Sequence, residues 1–309
     1  MTKRVVYWNG ELIPENEAKV SIYDSGIIAG DMAYEVTRTI NQRAFCLMEH
    51  LERLQSSMNL LQIEAGLSLD EWEQATLQTL EANLPSEAKD VDWQIIHQVS
   101  SGPSAGFALA FEVEQRRPTI FISCYPLTSR LARMAKYYET GVEILIPPQR
   151  AIPSQWLPAH VKSRGRLQYL LANLQAEKLQ PGSWPVLVDP MGFVTEGTSF
   201  NVFFVHEGKL CTPPVEDVLV GVTRGLVLKL AQELSIPTVE DSLPLAFAQQ
   251  ADEVFVTSTS IGILHARAFD GQQVGDGSVG PVTSRLRAAL HENLELDFAA
   301  QARLYASRM

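Results

Sequence analysis

Residues 157–177 of this chain read LPAHVKSRGRLQYLLANLQAE, with Lys162 near the centre of the first half. An apolar approach is followed by the lysine, small or flexible residues at Ser163 and Gly165, and then Leu167, Leu170, Leu171 and Leu174 at helical spacing. This pattern predicts that Lys162 sits where a strand or turn gives way to a helix. A lysine fixed there, among apolar neighbours that restrict water, is costly to keep charged, so its free amine can act as a nucleophile and form a Schiff base. Taken alone, such a window more often marks a solvated lysine. The segments on either side decide between the two.

Downstream, strand and helix patterns alternate: 142–146, the helix after Lys162, 185–188, 199–205, 223–234, 253–259 and a final helix over 284–304. Such alternation predicts an α/β domain. Upstream, residues 5–13 read as two short strands around Asn9-Gly10, a pair that tolerates the positive φ of a tight hairpin. A second hairpin is expected from 33–40, the turn Asn41-Gln42 and 44–47. Period two places Tyr34, Val36 and Arg38 on one face. Leu51, Leu54, Met58 and Leu61 mark a helix over 49–63, and Ser68-Leu69-Asp70-Glu71 is a capping box opening a second helix to about residue 82. Strands at 93–100 and 119–125 complete a first domain, with 101–118 irregular. The expected division is a small domain at 1–125, a linker at 126–133 and a larger domain at 134–309.

At 309 residues and 46% hydrophobic the chain can bury a large core. Its net charge of −11 argues against nucleic acid or anionic lipid as a partner. No apolar run is long enough to span a membrane, and the first ten residues do not form a signal peptide, so a cytoplasmic protein is expected. Cys46, Cys124 and Cys211 are odd in number and widely spaced, which suggests neither a disulfide framework nor a zinc site. The six histidines include no ligand pair at i, i+4, so no metal is expected.

Two short motifs mislead. Residues 275–280, GDGSVG, match a dinucleotide fingerprint, but a turn precedes them and the chain ends one helix later, leaving no room for a βαβ unit. Residues 102–106, GPSAG, match a nucleophile elbow, but the run 107–114 that would have to be its helix is short and ends at Arg116-Arg117-Pro118.

Other segments converge on an anion and a cation. In 194–203, VTEGTSFNVF, Glu196 is expected in a tight turn between apolar strands, as a turn acceptor or a partner for a cation. Val222 and Thr223 open a helix after Gly221, offering unpaired N–H groups and a positive dipole end to a phosphate. Ser258, Thr259 and Ser260 end a strand with hydroxyls able to donate to the same anion, and Arg53 in EHLERL can bring it a guanidinium.

In this order the motifs YDSGIIAGDMAYEVTRT, EHLERL, VTEGTSFNVFF, GVTRGLVLKLA and EVFVTSTS, with Lys162 between the second and third and a loop ending in Gly280-Pro281 last, resemble the fold-type IV pyridoxal-phosphate enzymes. The resemblance covers nearly the whole chain. It implies a small N-terminal and a larger C-terminal α/β domain, a cleft holding pyridoxal 5'-phosphate, and a homodimer. It makes Lys162 the Schiff-base lysine and proton carrier, and Glu196 the partner of the pyridine nitrogen. Arg53, Val222, Thr223, Ser258 and Thr259 become phosphate ligands, and Tyr34, Arg38, His97 and Ser260 face the substrate.

Subgroups differ in detail. Branched-chain aminotransferases usually carry tyrosine five residues after the lysine, where this chain has Leu167. D-amino-acid aminotransferases usually place arginine before the glycine that ends the strand, where this chain has Ser101-Gly102. Arg38, four residues after Tyr34, matches the branched-chain type. The expected activity is therefore amino transfer between a branched-chain-like amino acid and a 2-oxo acid such as 2-oxoglutarate. Alternatives are an aminodeoxychorismate-lyase-type elimination, a D-amino-acid or (R)-amine aminotransferase, and a cofactor-binding protein without turnover or an ordinary structural α/β domain.

Overall fold

The computed structural model describes residues 4–106 and 117–309, so the run 107–114, the would-be elbow helix, lies outside the described residues. The chain forms two compact units, residues 1–127 with 161–166, and residues 128–160 with 167–309. Two features differ from the expected division. Val161–Arg166, with Lys162 in it, packs with the first unit although it lies far along the chain. Most of the expected linker at 126–133 belongs to the second unit, where Thr128–Met134 is helical and buries Leu131.

Among the described residues the first unit holds a six-stranded sheet made of β1 (Val5–Trp8), β2 (Glu11–Pro14), β3 (Met32–Ile40), β4 (Arg43–Ala44), β5 (Trp93–Ser100) and β6 (Thr119–Pro126). Their spatial order is β2-β1-β6-β5-β3-β4. The β1–β2 hairpin turns on Asn9 at φ 47° and Gly10 at φ 105°, conformations that a chain with two bulkier residues there would resist. Strands β3 and β5 run antiparallel, with Tyr34 opposite Gln98 and Glu35 opposite His97. Two helices, α1 (Leu47–Leu60) and α2 (Leu69–Asn83), bury Leu51, Leu54, Met58, Trp72 and Leu80 with Trp93, Ile95, Val99 and Ile122 of the sheet. The capping box at Ser68 and Glu71 forms as expected. The expected strand at 44–47 stops early, because Cys46 takes a left-handed conformation at φ 44° and starts α1.

The second unit contains a mixed ten-stranded sheet: β7 (Val142–Leu145), β8 (Trp184–Val188), β9 (Phe193–Gly197), β10 (Asn201–His206), β11 (Lys209–Thr212), β12 (Thr238–Glu240), β13 (Leu243–Pro244), β14 (Glu253–Ser258), β15 (Gly262–Phe269) and β16 (Gln272–Gln273). β7 pairs in parallel with β8 and β15, whereas β10, β14 and β15 are successive antiparallel neighbours. Phe203 and Phe255 stack at 4.9 Å across β10 and β14 in a core shared with Val202, Phe204, Val256 and Leu264. The principal helices are α3 (Leu167–Leu179), α4 (Val222–Glu233), α5 (Pro281–Leu294) and α6 (Phe298–Ala306). The expected single helix over 284–304 is broken. Glu295 adopts φ 48°, and Asp297 caps a new helix by accepting from Ala300 N.

Helix α3 also corrects the amphipathic reading. It packs on β8 through buried Ala172 and Ala176, and Leu167, Leu170, Leu171 and Leu174 are exposed. Small residues allow close approach to a sheet, so the leucine stripe is left outside. No helix among the described residues is long and apolar enough to cross a membrane.

Candidate active site

In the first unit, the backbone of Lys162 is tied to β3 and α1. Tyr34 N donates to Lys162 O at 3.0 Å, Arg164 N donates to Met32 O at 2.8 Å, and Ser163 bridges Ala33. Lys162 N donates to Ser57 Oγ at 3.1 Å. Residues 162–164 thus lie antiparallel along the start of β3. The approach is close: a Cβ on Gly30, at φ 69°, would meet Gly165 Cα at 3.2 Å. The ammonium of Lys162 lies 4.9 Å from the centroid of the Tyr34 ring. The structure therefore brings together two of the residues singled out from sequence, a lysine and the buried tyrosine beneath it.

Arg53, itself half-buried, pairs with the fully buried Glu35. Its Nε donates to Glu35 Oε2 at 2.8 Å and its Nη2 to Glu35 Oε1 at 2.7 Å, one edge of the five-donor guanidinium. His50 Nδ1 lies 3.1 Å from the same carboxylate. Burial opposes ionisation of Glu35, but the Arg53 charge and the His50 hydrogen bond outweigh it and hold the carboxyl well below its ordinary range. Burial pushes His50 the other way, against the pull of Glu35 and with help from Arg53 and Lys162, which favours neutral imidazole.

Two expected substrate residues are corrected. Arg38 is fully buried, with Nη2 3.2 Å from Asp92 Oδ2 and Nε donating to Thr39 O at 2.8 Å. Asp92 also accepts from Thr39 Oγ1 and from Gln42 N. The acid just before β5 thus meets the guanidinium, and Arg38 is a structural ion pair. His97 is also fully buried, with Nε2 2.8 Å from Thr76 Oγ1 and its ring edge-on to Trp72 under α2. Burial pushes it down to about 4, so it is a neutral core histidine. Strand alternation explains this: His97 faces with Glu35, and the residue sharing the face of Tyr34 is Gln98.

In the second unit, Glu196 lies within β9 rather than in a turn, and three donors converge on it. Tyr169 Oη donates to Oε1 at 2.8 Å, while Leu219 N at 3.0 Å and Asn201 Nδ2 at 3.3 Å reach Oε2. Asn201 Nδ2 also donates to Leu219 O, which ties the segment before α4 to the start of β10. Gly221 is required at that point, since a Cβ there would fall 2.0 Å from Asn201 Oδ1. Asn201 pairs across the sheet with Thr257, so Ser258, the last residue of β14, and the turn carrying Thr259 and Ser260 lie at the same end. Ser258 and Thr259 are half-buried there, and Ser260 is buried.

The two glycine-led helices of this unit differ in what meets their first turns. At α5, Val282 N, Thr283 N and Thr283 Oγ1 all donate to the Glu253 carboxylate, and a Cβ on Gly280 would collide with it. That internal acid fills the place a nucleotide phosphate would need in the GDGSVG decoy. At α4 no side chain caps the helix, and the buried Thr223 hydroxyl has no hydrogen-bond partner among the described residues. Free N–H groups and an unmet hydroxyl at a positive dipole end are a fitting donor set for a phosphate.

Several residues of these clusters were not foreseen. Glu35 ends the D-x-G-x-x-x-G-D-x-x-x-E opening yet was given no role. His50 and Asn201 stand inside EHLERL and VTEGTSFNVFF, and Arg164 and Tyr169 inside the 157–177 stretch, without being given a role, and Gln98 had no motif to mark it, although the alternation Lys162-x-Arg164-x-Arg166 was readable.

The profile described as amino-transferase class IV matches residues 32–269. A Methanocaldococcus jannaschii protein assigned as a branched-chain-amino-acid aminotransferase is 34% identical over 284 residues, covering 91% of this chain and 93% of the relative. A D-alanine aminotransferase of Staphylococcus haemolyticus is 31% identical over 300 residues, covering 96% of this chain and 99% of the relative. The crystal structure of the Escherichia coli branched-chain amino acid aminotransferase superposes with a TM-score of 0.83 at 27% identity, covering 94% of each chain.

Proposed function

This chain belongs to the class IV aminotransferases, and from that membership we propose that it moves the amino group of a branched-chain-type amino acid to a 2-oxo acid such as 2-oxoglutarate. It is an enzyme that uses pyridoxal 5'-phosphate. The observation that carries the assignment of roles is the fixing of Lys162 against Tyr34 by hydrogen bonds from both sides of its peptide. A lysine so placed presents one amine at one position.

When bound, the cofactor supplies an electron sink that acidifies the Cα–H bond of the amino acid. Lys162 would hold it through Nζ, and the same amine would take and return the substrate's Cα proton. Glu196 offers its carboxylate to the pyridine nitrogen, and Tyr169, Asn201 and Leu219 N hold that carboxylate in one orientation. In the second unit Val222 N, Thr223 N and the Thr223, Ser258 and Thr259 hydroxyls would hold the phosphate, and in the first unit Arg53, its guanidinium plane fixed by Glu35, is the cation assigned to it. Tyr34 and Ser260 face substrate. These contacts orient the reacting bond, which is most of what the protein must add.

The active assembly is a homodimer, a reading supported by the exposed leucine face of α3, whose occupant would be the second copy. The three cysteines stand as free thiols, which suits a cytoplasmic enzyme. The test is a half-reaction with single donors. L-Leucine, L-isoleucine or L-valine should convert the bound cofactor to its amine form and release the matching 2-oxo acid. Conversion by D-alanine alone would overturn the donor assignment, and release of pyruvate from aminodeoxychorismate without cofactor conversion would indicate a lyase.

A further inference from the structure

The segment carrying Lys162 places two more cations at alternate positions, in the order Lys162, Ser163, Arg164, Gly165, Arg166. Because residues 162–164 pair along β3, Lys162 and Arg164 point to the same side. Their heads meet one ring. Arg164 Cζ lies 3.9 Å, Lys162 Nζ 4.9 Å and Arg166 Cζ 5.7 Å from the Tyr34 centroid. At its distance Arg164 lies close over the ring, and its Nε donates at 2.8 Å to Oε1 of Gln98, the residue opposite Tyr34 on β5. A ring and a neutral amide thus aim the guanidinium without neutralising it.

The groups acting on Arg164 point the same way. Burial lowers its affinity for a proton, the Tyr34 and Tyr125 phenols oppose this, and Arg166 adds like-charge repulsion. Glu35, the carboxylate next to Tyr34 in β3, is held by Arg53 and His50. A planar fork with a fixed orientation, as Arg164 has over Tyr34 and Gln98, is matched by a carboxylate. The guanidinium expected to do this, that of Arg38, is committed to Asp92. The end of β5 offers Ser100 and Ser101 rather than arginine.

We propose that Arg164, aimed by Tyr34 and Gln98 and reinforced by Arg166, binds a carboxylate of the substrate beside Lys162 and is the residue through which dicarboxylic partners are accepted. This rests on Lys162 being the reactive amine, since that is what brings substrate to Arg164.

Calorimetric titration of glutarate, with two carboxylates, and butanoate, with one, tests it on wild type, Arg164→Gln and Arg164→Lys, each with and without cofactor. Arg164→Gln should weaken glutarate roughly tenfold or more, the loss expected for charge-assisted hydrogen bonds. Arg164→Lys should recover only part, because an ammonium is a point charge rather than a fork. A loss confined to glutarate is the expected result and assigns the distal carboxylate, whereas an equal loss for butanoate places Arg164 on the α-carboxylate and overturns its role in accepting dicarboxylic partners. Unchanged affinity for both ligands in a folded Arg164→Gln protein overturns the proposal. Glutarate binding that depends on Arg164 in a protein whose Lys162 captures no cofactor would uphold the carboxylate site while overturning the role given to Lys162.

Discussion

Replacing Arg53 by alanine would strand a carboxylate that has no access to water. Glu35 is fully buried, and Arg53 makes two of the hydrogen bonds it accepts, with His50 and the backbone N–H of Val36 as further partners. Removing one member of a buried pair costs about 3–5 kcal/mol, against about 5–15 kcal/mol for the stability of a typical domain. Arg53→Ala should therefore lose that amount in urea denaturation of the cofactor-free protein at neutral pH. Adding Glu35→Gln should return much of it, because the uncompensated charge is then gone. Acid gives a second view. The folded-state pKa of Glu35 is depressed, so its contribution is complete above the unfolded value of 4.5 and is lost as pH falls from there toward the folded value. The stability difference between wild type and Glu35→Gln should therefore shrink with acidification below 4.5. With cofactor present, Arg53→Ala should also weaken its binding roughly 10- to 150-fold, the equivalent of about 1.5–3 kcal/mol in lost phosphate contacts. A stability loss below about 1 kcal/mol, the range of an exposed pair, would refute the buried-pair reasoning.

Arg38→Leu leaves Asp92 buried and should lower stability by about 3–5 kcal/mol in the same denaturation assay while leaving the KM for 2-oxoglutarate unmoved; a raised KM at unaltered stability would return Arg38 to the substrate site. His97, pushed down to about 4, should stay neutral in nitrogen-detected NMR through neutral and mildly acidic pH. Since its unfolded-state pKa is the higher, near 6.5, the protein should lose stability as pH falls from that value to about 4, and His97→Gln should flatten the loss. Glu196→Gln should still bind cofactor but lose most turnover, because an amide no longer favours the protonated pyridine, and wild-type rates would remove Glu196 from that role.

Local chemistry made much of the fold legible. Asn9-Gly10 and Ser68 to Glu71 act within a few residues, and the hairpin and capping box appear where those residues stand. Tertiary choices were less legible. The leucines of α3 have helical spacing, but which side meets the sheet was settled by Ala172 and Ala176, whose small size invites close packing. Likewise Lys162 was found as a junction residue, whereas the return of Val161–Arg166 to the first unit depends on pairing with a strand more than a hundred residues earlier. Arg38 and His97 failed for another reason. A motif position says which strand carries a residue, but the partner that captures it, Asp92 or Thr76, comes from elsewhere in the chain.

The central claim is that Lys162 is the amine that captures the cofactor. Reduction of the cofactor-loaded protein with borohydride, followed by proteolysis and mass spectrometry, tests it directly. A phosphopyridoxyl group on Lys162 alone is the expected result. A modified lysine elsewhere, with Lys162 unmodified in a protein that still transfers amino groups, would contradict it.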